Sequence, residues 1–232
     1  MPASAGWSTP IDLYCERTDP SFWSEPVNAL SNVAFLVAAF AAYLSWRRCA
    51  QRDVATLALI LAVVLVGIGS FIFHTVATRG AMLLDVGPIG LFIYGYFLLA
   101  LRRFVRLPWM PAIAGLLGFA LLSTGLAEWV PRDFLNGSSG YFPALAALVI
   151  IGTLERATPW GRAMLLAAVV FVVSLALRVV DLDICKAVPL GTHFLWHVCN
   201  AIVLYLTLSG AIEERRFRDA ERPNHRPTGG VS

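Results

Sequence analysis

A chain of 232 residues that is 58% hydrophobic and only 14% charged, with a positive mean hydropathy, lies outside the range of soluble domains of this size. The composition excludes an ordinary soluble enzyme and leaves a polytopic membrane protein. The formal net charge of +3 is carried by loops and gives no support for a nucleic-acid partner.

Residues 1–28 are polar, lack an apolar run and carry Asp12, Glu16, Asp19 and Glu25, which predicts an extracytoplasmic segment and no cleavable signal peptide. Four carboxylates this close together are hard oxygen ligands of the kind that hold Ca²⁺. Glu25, Asn28, Ser31 and Asn32 then read as a helix start with polar capping, Glu25 suiting the positive end of the helix dipole. Seven apolar stretches follow, at about 30–46, 54–73, 81–101, 110–126, 141–154, 163–177 and 190–210. Most approach the ~20 residues needed to cross a bilayer, the fifth and sixth being the shortest. The expectation is an all-α membrane protein, a seven-transmembrane helix bundle over 29–212. The charged, Pro- and Gly-containing residues 213–232 are expected to form a disordered cytoplasmic tail in which His225 is solvated.

Charge asymmetry predicts the orientation, because basic residues accumulate in cytoplasmic loops. Alternate connections and the tail carry Arg47, Arg48, Arg52, Arg102, Arg103, Arg106, Arg156, Arg162, Arg215, Arg216, Arg218, Arg222 and Arg226. The opposite side carries only Arg17, Arg79, Arg132, Arg178 and Lys186. Seven spans with this bias put the N-terminus outside and the C-terminus in the cytoplasm. Cys15 and Cys185 then share the oxidising side, whereas Cys49 and Cys199 do not, so a Cys15–Cys185 disulfide is expected, with four unrelated thiols as the alternative.

Five polar residues interrupt the apolar sequence: Ser70, His74, Asp85, His193 and His197. The predicted topology brings all five to one level near the outer face. His193 and His197 are one helical turn apart and share a face, and Ser70 and His74 repeat the spacing. Three neutral imidazoles with one open position are a common catalytic Zn²⁺ site, where metal-activated water supplies the nucleophile. Asp85 is suited to take the water proton and Ser70 to donate to a developing oxyanion. Taken singly, each has a packing explanation. Ser70 closes a Gly67-Ile68-Gly69-Ser70 run suited to a close helix crossing, and Phe194 and Trp196 read as interfacial or lipid-facing anchors.

With these residues in view, the chain resembles the alkaline ceramidase family, within a superfamily of seven-span hydrolases that includes the adiponectin and progestin receptors. The resemblance runs in order through Cys15-Glu16, Glu25-x-x-Asn28-x-x-Ser31-Asn32, Gly69-Ser70-x-x-x-His74, Leu83-Leu84-Asp85 and His193-x-x-x-His197. It implies zinc held by His74, His193 and His197, with Ser70 and Asp85 assisting attack of water on the amide of ceramide, releasing a sphingoid base and a fatty acid. It also implies a calcium ion at the N-terminal acidic segment, for which Asp12, Glu16, Asp19 and Glu25 are the candidates, although Thr18 and a shortened Glu16-to-Glu25 spacing depart from the pattern. A cysteine pair joining the N-terminal segment to the connection before span seven belongs to the same pattern.

The implied partners are a membrane lipid substrate and the bilayer, with no obligate protein partner. An Ala- and Arg-rich chain with short loops suggests a bacterial inner membrane, with the site toward the outer face. Another N-acyl lipid as substrate, or a receptor with a structural zinc, are the alternatives. A retinal protein is excluded because the only lysine, Lys186, lies in a connection. Haem binding gives no role to Ser70 and Asp85. A serine protease pair would not normally share one helical turn, as Ser70 and His74 do.

Overall fold

The computed structural model describes residues 6–131 and 134–221. Its seven membrane-spanning segments overlap the seven predicted apolar stretches, the first six reaching or passing the predicted bounds and the seventh starting at His193 rather than 190: Pro26–Trp46, Val54–Val76, Arg79–Arg103, Trp109–Leu126, Phe134–Leu154, Pro159–Val180 and His193–Glu221. The first is built from a short helix α1 (Pro26–Ser31) and α2 (Val33–Trp46), the second and third are α3 (Val54–Val76) and α4 (Arg79–Arg103), and α5 covers Trp109–Trp129. A stretch of 3-10 turns, Phe134–Tyr141, leads into α6 (Phe142–Leu154), followed by α7 (Pro159–Val180) and α8 (His193–Glu221). The two stretches expected to be weakest reach full span length because Phe134–Tyr141 and the two ends of α7 add to their apolar centres. The last helix runs to Glu221, past the expected boundary at 212, because Glu213, Glu214, Arg216 and Arg218 form ion pairs along and across it. His225 and residues 222–232 lie outside the described residues.

Helix ends follow local chemistry. Asp53, Thr78 and Thr158 each accept a hydrogen bond from a first-turn amide, of Thr56, Ala81 and Gly161 respectively. Helix α3 stops at Ala77, which adopts a left-handed conformation. α8 packs against α7 and α2, α3 against α2 and α4, α4 against α5, and α6 against α7, closing a bundle whose buried core runs from Phe35 through Val63, Phe92 and Met164 to Leu208.

The tightest crossing lies between α3 and α4. A Cβ added at Gly69 would stand 1.9 Å from the Leu84 carbonyl oxygen, so only glycine permits this approach. The crossing sets Ser70 beside Asp85, the next residue on each helix.

The N-terminal segment lies across the end of the bundle where α3 ends and α4 and α8 begin. Backbone bonds from Ile11 to Ala77, from Arg79 to Thr9 and from Gly80 to Trp7 bind it to the α3–α4 turn. The Cys15–Cys185 disulfide binds it to the α7–α8 connection, as the compartment argument anticipated. Asp181, buried in that connection, accepts from the amides of Cys15, Thr192 and His193 and so joins the segment to the first turn of α8. Gly191 makes the turn possible: its φ is +66°, and a Cβ there would lie 2.2 Å from the Asp181 carboxylate.

Candidate metal centre

Three helix termini meet under this strap. His74 comes from the last turn of α3, and His193 and His197 come from the first turns of α8. All three are buried, with ring centroids 4.6–5.2 Å apart and one candidate ligand nitrogen from each within 4.8 Å of the others. Among the described residues this is the only such group of three or more possible ligands.

Hydrogen bonds behind the rings determine which nitrogens face the centre. His74 Nδ1 lies 2.6 Å from Glu25 Oε2. An ionised carboxylate only accepts, so Nδ1 carries the proton and the Nε2 lone pair is free. His74 Nε2 is buried without a partner. His197 Nδ1 lies 2.7 Å from Ser31 Oγ, which itself donates to the Asn28 carbonyl at 2.8 Å. With its one proton committed, the Ser31 hydroxyl accepts from Nδ1–H, which leaves Nε2 of His197 as a lone-pair donor too. His193 is held by ring stacking on Tyr14, 3.5 Å between centroids, and its Nδ1 is buried and unpartnered. Unpartnered buried imidazole nitrogens converging in this way fit a divalent metal that takes nitrogen ligands.

Ser70, Asp85, His193 and His197 line a single cavity, and His74 stands behind its wall. Ser70 and Asp85 stand close together in this wall, where the α3–α4 crossing brings them. Below this polar end the cavity is apolar, walled by Phe92, Phe97, Phe119, Ile151, Met164 and Phe171. Along α4 it extends from Met82 to Ala100, roughly 27 Å at 1.5 Å per residue, close to the thickness of a hydrocarbon core.

A family model described as Ceramidase matches residues 13–225. The chain belongs to the ceramidase family. No curated protein gives a significant individual match. The match covers the N-terminal segment from Leu13 onward, all seven spans and every member of the five-residue set.

The calcium expectation finds no support in the acidic segment. Asp12, Glu16, Asp19 and Glu25 do not converge as a ligand set. Both Glu25 oxygens are engaged, one by the Arg17 guanidinium and the other by His74 and Asn28. Burial alone would push the Glu25 carboxyl up, but the bonds from His74 and Arg17 outweigh it and hold it below the usual range. Glu16 accepts from the amides of Val27 and Asn28, both at 2.7 Å, and so caps α1; burial raises its carboxyl while these amides oppose the shift. Asp19 accepts from the Ser21 amide, and Asp12 is exposed. The cation at the centre of the acidic segment is Arg17, buried and also donating to the carbonyls of Asp19, Ser21 and His74. The residues present therefore do not fit a calcium ion.

Three further expectations change. Glu25 precedes α1 but makes no side-chain bond to its amides, serving His74 instead. Trp196 is buried and lines the cavity, so it is no lipid-facing anchor. Arg178, assigned to an outer connection, belongs to the last turn of α7 and also lines the cavity. Tyr14, Ser31, Asp181, Trp196 and Arg178 all contribute to the site without having been picked out for that role. Only Ser31 carried a sequence signal, its place in the Asn28-x-x-Ser31-Asn32 run.

Proposed function

We propose that the chain is a zinc-dependent intramembrane hydrolase of ceramide-type N-acyl lipids, cleaving the amide to a free fatty acid and a long-chain amine. The observation that carries this reading is the convergence of three buried imidazoles, two with Nε2 freed by Glu25 and Ser31, at the head of an apolar cavity about as deep as a bilayer's hydrocarbon core. His74, His193 and His197 would hold the zinc, which supplies Lewis-acid activation of water and carbonyl when bound.

The remaining roles belong to side chains. The cavity takes the acyl chain and leaves the amide at its polar end. Asp85 accepts the proton of the attacking water, and Ser70 donates to the amide oxygen as negative charge develops there. Water's hydroxyl goes to the acyl carbon, the C–N bond breaks, and the proton passes from Asp85 to the leaving nitrogen. Tyr14 stays neutral, since burial pushes its phenol well above the ordinary range, and its ring fixes the plane of His193.

The surplus of basic residues at the opposite end supports an outward-facing site with the N-terminus outside, in a bacterial inner membrane. Such a site is reached by lateral entry of lipid without the chains leaving the bilayer.

Ser70→Ala and Asp85→Asn test the assignment. Each should keep the metal and lose hydrolysis of N-acyl lipids in vesicles by about 10²-fold or more. Full activity in both would overturn the roles given to Ser70 and Asp85, whereas a wild type that holds the metal but hydrolyses no N-acyl lipid would favour a structural metal, as in a receptor.

A further inference from the structure

Arg178 is the one arginine in the cavity wall, and its surroundings are unusual for an arginine near a membrane surface. An arginine in the last turn of a spanning helix normally snorkels outward to water and lipid headgroups. Here the side chain turns inward. Its Nη1 donates to the Asn136 carbonyl at 2.5 Å and to Ser138 Oγ at 2.8 Å. Its guanidinium carbon sits 5.6 Å from the Trp196 ring centroid and 5.8 Å from that of Tyr141. The Tyr14 hydroxyl is a further neighbour. Every one of these partners is neutral, and among the described residues Arg178 takes part in no ion pair. A guanidinium has five N–H donors in a fork that matches a carboxylate, phosphate or sulfonate, and the two bonds through Nη1 do not exhaust them.

The position of Arg178 along α7 assigns it to one half of the substrate. Ser174, one turn earlier, donates to the Trp196 carbonyl, and the Leu177 carbonyl accepts from Thr192 Oγ1, so Arg178 lies level with the start of α8, at or above His193. The apolar tube runs the other way, past Phe171 and Met164. Arg178 therefore stands on the side of the metal centre away from the acyl chain. It lies within electrostatic reach of both Asp85 and His193, where the amine half of a bound amide would sit. Asp85 is the only carboxylate lining the cavity, so an occupied three-histidine site would leave the polar end with excess positive charge.

We propose that Arg178 is a specificity-determining residue that binds an anionic group on the amine half of the substrate, so that the preferred substrates are N-acyl lipids whose head carries a carboxylate, phosphate or sulfonate. This rests on the hydrolase reading above, keeps its N-acyl half and replaces its neutral long-chain amine by a headgroup that carries an anion. A neutral sphingoid base gives the guanidinium no counter-charge, whereas an anionic head provides one in fork geometry.

The test uses the full-length zinc-loaded protein in neutral phosphatidylcholine nanodiscs with two amides of one acyl chain, N-oleoylglycine and N-oleoylethanolamine, which differ in head charge. Wild type should turn over the glycine amide with kcat/KM at least about tenfold higher, mainly through KM, the effect expected of one charge-assisted hydrogen bond. Arg178→Gln should bring the ratio of the two kcat/KM values within that variant to about one, whatever its absolute rate on the neutral amide, with Arg178→Lys intermediate. No preference in wild type, or an equal loss on both amides in Arg178→Gln, would overturn the proposal and leave Arg178 as a tie to the Asn136 loop. Binding of the same two lipids, followed by tryptophan fluorescence, separates this from failure of the hydrolase reading. If neither amide is cleaved yet wild type alone discriminates between them in binding, the Arg178 assignment stands and the hydrolytic one falls. If binding shows no discrimination, the Arg178 assignment falls as well.

Discussion

Gly69→Ala tests whether the α3–α4 crossing sets catalytic geometry independently of metal binding. The new Cβ would stand 1.9 Å from the Leu84 carbonyl oxygen and 2.7 Å from its carbon, whereas real Cβ contacts essentially never fall below 3.0 Å. Backbone cannot rotate out of the way as a side chain can, so the two helices must separate by about 1 Å at this level. Ser70 follows Gly69 on α3 and Asp85 follows Leu84 on α4, so the gap opens between the two groups proposed to flank the reacting amide. A hydrogen bond tolerates a few tenths of an ångström, and a misplacement of ~1 Å in an active site costs on the order of 10²-fold in rate. The metal ligands lie on α3 and α8, whose packing does not pass through Gly69, so zinc content should be unchanged. The assay is kcat for amide hydrolysis together with metal content, with Gly118→Ala as the control. A Cβ at Gly118 meets nothing within 4 Å, so that variant should match wild type. Wild-type kcat in Gly69→Ala, or loss of zinc in step with activity, would refute the reasoning.

Other outcomes follow from the bonds behind the site. Ser31→Ala and Glu25→Gln should each weaken zinc by about 10- to 100-fold in competition with a chromophoric chelator, because the first removes and the second neutralises the acceptor that orients a histidine. Replacing Cys15 and Cys185 by Ser should lower stability by about 2–4 kcal/mol, read as earlier thermal unfolding, and non-reducing peptide mass spectrometry of wild type should recover the linked pair. A calcium-selective chelator should leave activity and unfolding temperature unchanged, since Arg17 already neutralises Glu25; a clear loss of either would restore a calcium site.

The parts of this molecule legible in the sequence are those a single helix can express. Seven apolar stretches follow from hydropathy, and the pairing of His193 with His197 and of Ser70 with His74 follows from 3.6-residue periodicity. Even the Gly67–Ser70 run announced a close crossing, though not its partner, Leu84. What escaped is carried by contacts between segments far apart in the chain. Glu25 read equally well as a dipole complement or a calcium ligand, because nothing local shows that its carboxylate meets His74. Arg17 looked like an outer-loop charge and is the cation that holds the acidic segment together. Tyr14 and Trp196 are aromatic residues near a membrane surface, for which anchoring is the ordinary explanation, and only the packed fold turns one onto His193 and the other into the cavity. Arg178 was missed for the same reason, since charge counting treats every terminal arginine as a loop residue.

His74, His193 and His197 are proposed to form a metal centre, two of its ligands oriented from behind by Glu25 and Ser31. Elemental analysis of the purified protein measures it most directly. Wild type should carry about one zinc per chain and His193→Ala should retain none, with amide hydrolysis lost alongside. Wild-type protein free of transition metal after zinc loading, or His193→Ala with undiminished zinc and activity, would contradict it.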